Sequence, residues 1–108
     1  MRSDALTMTL LYDYYGELLT EKQRGLFDLY YNQDYSLSEI ASAAGISRQG
    51  VHDMIKRCNH TLEEYEAKLH LVEKFLNIRE QVHRIKEIAA DYQAQEITEI
   101  SNEILEEL

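Results

Sequence analysis

The stretch SLSEIASAAGISRQGVHDMIKR, residues 36–57, gathers the side chains best suited to chemistry in this chain. Ser47, Arg48 and Gln49 fall where a helix would begin, and the free amides and dipole of a helix start favour a phosphate. Gln49 has the donor and acceptor needed to pair with an adenine edge, and Arg48 can reach a guanine or a phosphate. Lys56 and Arg57, one to two turns further on, suit phosphates along a curving groove wall. Ser36 and Ser38, opening the preceding segment, can donate to the same backbone. Asp53 stands among these groups and repels phosphate unless it accepts from a cytosine amine or pairs with Arg57 at i+4.

Spacing supports one polar face. At 100° per residue, with Gln49 as zero, His52, Asp53 and Lys56 lie within about 60° of it, while Val51, Met54, Ile55, Cys58 and Leu62 lie between about 140° and 240°. Such a helix packs on one side and presents polar groups on the other. A partner helix is written just upstream. Ser36 with Glu39 makes a capping box, and Leu37, Ile40, Ala41 and Ala44 form its buried stripe. Gly45 suits the left-handed residue after a helix end, Ile46 anchors the turn, and Ser47 caps the next helix. Short helix, alanine–glycine turn, second helix is the order of a helix-turn-helix, whose second helix enters the major groove with its N-terminal residues leading.

Other chemistry has less support. His52, His60, His70 and His83 are scattered, and no third ligand is fixed by spacing, so no metal is expected. A single cysteine, Cys58, excludes an internal disulfide and a cysteine-based zinc site; it falls in the packed arc. Gly45 and Gly50 do not make a phosphate loop. We expect no enzyme activity and no cofactor. Eight tyrosines against two phenylalanines could stack on unpaired bases, but rimming a small core accounts for them better.

Charge narrows the partners. The 108 residues carry 11 Lys and Arg against 20 Asp and Glu, a net charge of −9. Only residues 36–60 are net basic, with three cations and two anions, and residues 92–108 hold five anions and no cation. Such a balance argues against tight nonspecific binding to nucleic acid. It leaves room for a local basic surface, since the Debye length is about 8 Å at physiological salt. No apolar run approaches the length of a membrane span. The start, with Asp4 and Asp13, does not read as a signal peptide, and a reducing cytoplasm is the expected location.

The elements that must position these groups read as helices throughout. Leu11, Tyr14, Tyr15 and Leu18 make one stripe, and Gly16 sits inside it or ends that helix. Thr20 with Gln23 is a further capping box, opening a helix that buries Leu26, Phe27, Leu29 and Tyr30. From Val51 a seven-residue apolar repeat runs through Ile55, Cys58, Leu62, Tyr65, Leu69 and Val72; Thr61 with Glu64 allows a kink near Asn59. A further series includes Val82, Ile85 and Ile88, and a final helix carries Ile97, Ile100, Ile104, Leu105 and Leu108, with the break at residues 93–96. That last stripe either folds back or meets a second copy. The spacing favours self-association through Val82, Ile85, Ile97, Ile100, Ile104 and Leu108, because an uncovered stripe is an exposed apolar patch.

From Leu10 to Leu71, and above all in LLTEKQ, YSLSEIA and SRQGVHD, the chain resembles the YlxM family of small bacterial proteins, whose helix-turn-helix is similar to region 4 of sigma-70-type factors. The resemblance implies an all-α, wingless helix-turn-helix domain over residues 1–71, with the motif itself at about 36–58. An acidic helical extension over 72–108 would pack or dimerise. It implies DNA as the partner and a regulatory role, with the recognition helix on Arg48, Gln49, His52, Asp53 and Lys56. It also implies a connection to the signal recognition particle, whose RNA or GTPase is the alternative partner. A complete sigma factor is not expected, because nothing remains to melt promoter DNA.

Overall fold

The structure is a computed structural model and describes residues 5–108. It is all-α: α1 is Ala5–Tyr15, α2 Glu21–Phe27, α3 Leu37–Ala44, α4 Arg48–Leu69, α5 Leu71–Asp91 and α6 Gln95–Glu107. A 3-10 turn at Gly16–Leu18 follows α1, and a π-helical turn at Asp28–Asn32 follows α2. The chain divides into two compact units, the first ending at His70 and the second running Leu71–Leu108. Asp4, used above in reading the start, lies outside the described residues.

Each start in the first unit is set by a polar cap. Thr20 Oγ1 accepts from the Gln23 amide at 3.2 Å while the Thr20 amide donates to Gln23 Oε1 at 3.0 Å. Ser36 and Glu39 repeat the arrangement at 3.0 and 3.1 Å. Ser47 Oγ accepts from the Gly50 amide at 3.0 Å. Each such cap satisfies an amide that the helix itself leaves unpaired, worth about 1 kcal/mol.

The core of the first unit sits between these helices. Leu26, Tyr30, Ile40, Ala41, Val51 and Ile55 form one buried cluster, with Leu29, Tyr31, Leu37 and Met54 packed against it. Deeper along α4, Cys58 and Leu62 are buried as the seven-residue repeat requires. Tyrosines contribute through ring contacts: Tyr12 stacks on Phe27 at 4.3 Å, Phe27 meets Tyr31 at 4.5 Å, and Tyr15 meets Tyr65 at 6.0 Å. Their hydroxyls find partners at the edge of the core, Tyr15 donating to Glu66 Oε1 at 2.6 Å and Tyr31 accepting from Asn59 at 2.7 Å. A ring whose body is buried and whose hydroxyl reaches polar groups is well used in a small domain.

Several local expectations need correction. The α1 stripe is Met8, Leu11 and Tyr15; Tyr14 and Leu18 are exposed, because Tyr14 lies about 100° round the helix from Tyr15 and the 3-10 turn after Tyr15 takes Leu18 off the helical spacing. Ala44 is exposed and Ile46 only partly covered: both line an open apolar groove of ≈570 Å³ with Leu26, Leu29, Ile40 and Met54. No kink interrupts α4 at Asn59, since Thr61 Oγ1 bonds back to the Arg57 carbonyl at 3.0 Å inside a continuous helix. The helix instead ends at His70, which takes a positive φ of 55°. Leu69, placed in the repeat, is therefore at a helix end and exposed.

In the second unit α5 and α6 pack on each other. The turn between them is closed by Ala94 N–H donating to the Ala89 carbonyl at 2.9 Å, with Gln93 at φ 53°. The expected break at residues 93–96 is thus observed a residue or two early. The side chains buried on α5 are Val72, Val82 and Ala89, and on α6 only Ser101.

Candidate nucleic-acid interface

The candidate interface is built on α3, the turn and the first three turns of α4. Gly45 takes φ 68°, and its amide bonds to the Ala41 carbonyl, as does that of Ile46 at 3.2 Å. This left-handed corner ends α3 and lets Ser47 start α4 at once. α4 then lays Val51, Ile55, Cys58 and Leu62 into the core. Arg48, Gln49, Asp53, Lys56 and Arg57 are left exposed and His52 half-buried. Ser47 is exposed with its hydroxyl engaged as the cap, Ser38 is exposed on α3, and Ser36 is half-buried and committed to its capping box.

Asp53 is handled by a neighbour that sequence reasoning did not assign to it. Gln49 Nε2 donates to Asp53 Oδ1 at 3.0 Å. His52 Nδ1 lies 3.5 Å from the same oxygen. Arg57 turns its Nε to the Asp53 main-chain carbonyl at 3.4 Å, so Asp53 Oδ1 is held by Gln49. A primary amide has two N–H groups and two lone pairs, so Gln49 keeps one donor and its carbonyl oxygen for a base edge, with the amide plane oriented by Asp53. A further residue joins this face. His60 lies at about 20° on the same helical projection, and Asp53, Lys56, Arg57 and His60 together line an open concavity of ≈490 Å³. That angle was available in the sequence. His60 Nε2 lies 3.1 Å from Glu64 Oε1.

A family model described as "Putative helix-turn-helix protein, YlxM / p13 like" matches residues 3–104. The chain belongs to the UPF0122 family. It is similar to the UPF0122 protein of Caldanaerobacter subterraneus subsp. tengcongensis, with 54% identity over 87 residues, 81% of this chain and 74% of that one. A UPF0122 protein of Clostridium kluyveri is 46% identical over 106 residues, 94% of this chain and 96% of the other. One from Bacillus velezensis is 45% identical over 101 residues, 94% and 92% of the two chains.

Membership in UPF0122 agrees with the helix-turn-helix built from the residues upward. Among the described residues, no group of three or more His, Cys, Asp or Glu side chains is placed to hold a metal, and no helix is long and apolar enough to cross a membrane. Burial raises the Cys58 thiol to about 11, so at neutral pH it is a packed thiol, not a nucleophile. The six side chains expected to self-associate divide. Val82 is buried in the second unit, while Ile85, Ile97, Ile100, Ile104 and Leu108 are substantially exposed.

Proposed function

We propose that this is a cytoplasmic DNA-binding protein of regulatory type, using α4 as a recognition helix in the manner of sigma-70 region 4. The observation that carries the reading is the division of α4: a back that buries Val51, Ile55, Cys58 and Leu62 in the core and a front that offers Arg48, Gln49, Lys56 and Arg57 to solvent. Ser47 and Arg48 would meet phosphate at the helix start. Gln49, oriented by Asp53, would read an adenine edge. Lys56 and Arg57 would follow the opposite wall of the groove, with His52 and Ser38 at its margins and Ser36 serving as a cap. The role is binding, with no reaction, metal or cofactor assigned. The self-association expected of the second unit is independent of this reading.

The test is titration of the full chain against a fluorescein-labelled mixed-sequence duplex of about three turns, by anisotropy at low salt. Wild type should bind in the micromolar range usual for nonspecific contact. The Arg48→Glu/Lys56→Glu variant should lose at least tenfold in affinity with its circular dichroism spectrum unchanged. Equal binding by that variant would remove α4 from the interface. A clear preference for signal recognition particle RNA, or for its GTPase, over the duplex would replace DNA as the partner.

A further inference from the structure

The hairpin of α5 and α6 hides its small side chains and shows its large ones. Val82, Ala89 and Ser101 are buried, while Ile85, Ile88 and Tyr92 of α5 and Ile97, Ile100 and Ile104 of α6 are between 38% and 81% exposed. The helical projection explains why. Relative to Val82, the three α5 residues lie at about −60° to −120°; relative to Ser101, the three α6 residues lie at about −40° to −100°. In an antiparallel pair, equal offsets of the same sign from the seam fall on the same face. An apolar hollow of ≈280 Å³ lined by Ile85, Ile88, Tyr92 and Ile97 together bears that out. A large side chain exposes about 150–250 Å² when free, so these six at their observed exposures present on the order of 600 Å². That is the upper end for a patch on a monomer, about 300–600 Å², and approaches the roughly 800 Å² per partner of a stable interface.

Charge names the occupant. Beside this face on α5, Asn77 and Arg84 lie at about −140° and −160° from Val82 and form the outer edge, with Lys74 and Gln81 at about −80° and −100° within the face; the acids Glu73 and Asp91 stand further round, at about 180°. The matching edge of α6 reads Glu96, Glu103, Glu107, and α6 has no Lys or Arg at all. Two hairpins meeting with α6 on α6 would crowd carboxylates of one sign. Two meeting with α6 on the partner's α5 would set acid against base.

We infer that the apolar face of the α5–α6 hairpin binds a second copy of this chain as an antiparallel four-helix bundle, each α6 packed on the partner's α5. That pairing requires a two-fold axis along the bundle. Both hairpin turns then lie at one end and both α5 starts at the other. Arg84 and Glu103 each stand about 14 Å from the turn at 1.5 Å per residue, so each Arg84 levels with the opposing Glu103. Within one hairpin the two are on opposite outer edges and do not meet.

Sedimentation equilibrium of the full chain at 1–100 μM (about, as a working range) tests this without any nucleic acid, so its outcome is separate from that of the DNA reading. The expected mass is that of two chains. Ile100→Asp should give a one-chain mass with α4 helicity retained. Arg84→Glu and Glu103→Arg should each weaken the dimer roughly tenfold, and the double exchange should recover most of that loss. A one-chain mass for wild type throughout the range would overturn the proposal. So would a double exchange no tighter than the single changes, since α6 would then not lie on the partner's α5.

Discussion

At the scale of residues, the first unit settles its polar groups by position. Asp53 illustrates this: a carboxylate in a basic face would oppose phosphate, yet Gln49 takes up one oxygen at 3.0 Å. The carboxylate keeps its charge, but the pair orients the Gln49 amide beside it. Cys58 shows the opposite treatment. It has no polar role, and desolvation alone lifts its thiol from 9.0 to about 11. A group held neutral in the fold contributes stability that is intact below its unfolded value and lost as pH rises toward the folded one. The folded chain should therefore react with a thiol probe at pH 8 many times more slowly than the urea-unfolded chain. Equal rates in the two states would show that the thiol is accessible.

Among the elements, what was legible in the sequence was local. The three caps, at Thr20, Ser36 and Ser47, depend on a side chain and an amide two or three residues apart, and all three formed. Gly45 was legible for a similar reason, since a helix followed at once by another needs a left-handed residue between them. Nothing lies within 4 Å of a Cβ built at Gly45, so Gly45→Ala meets only backbone cost. It should lower stability by about 1 kcal/mol in urea denaturation, with the m-value unchanged. What was not legible depended on where other helices lie. Ala44 and Ile46 have the right composition for burial, but α2 and α4 leave a groove above them. Leu18 keeps the helical spacing of a stripe that stops at Tyr15, and Tyr14 lies off the face that Met8, Leu11 and Tyr15 define. The end of α4 was hidden for another reason: His70 adopts φ 55° without being Gly or Asn, so no breaker residue announced it.

For the whole molecule, the charge distribution decides how nucleic acid binding must behave. A chain of net charge −9 has no long-range attraction to a polyanion, so contact depends on the few cations of α4 within a Debye length of phosphate. If each head covers about four to six phosphates, log K should fall with log salt at a slope near −4 to −5. A slope near zero in anisotropy titrations at several salt concentrations would mean that phosphates are not the contacts. The composition made this expectation available from the start. The face on which the α5 and α6 isoleucines gather was not available, because it follows from the antiparallel hairpin and not from either helix alone.

Between Leu69 and Leu71 a single residue stands outside the helices. One residue of contour is at most about 3.6 Å, which leaves no slack. With so short a joint, the backbone freedom between the last residue of α4 and the first of α5 is confined to the φ and ψ of His70.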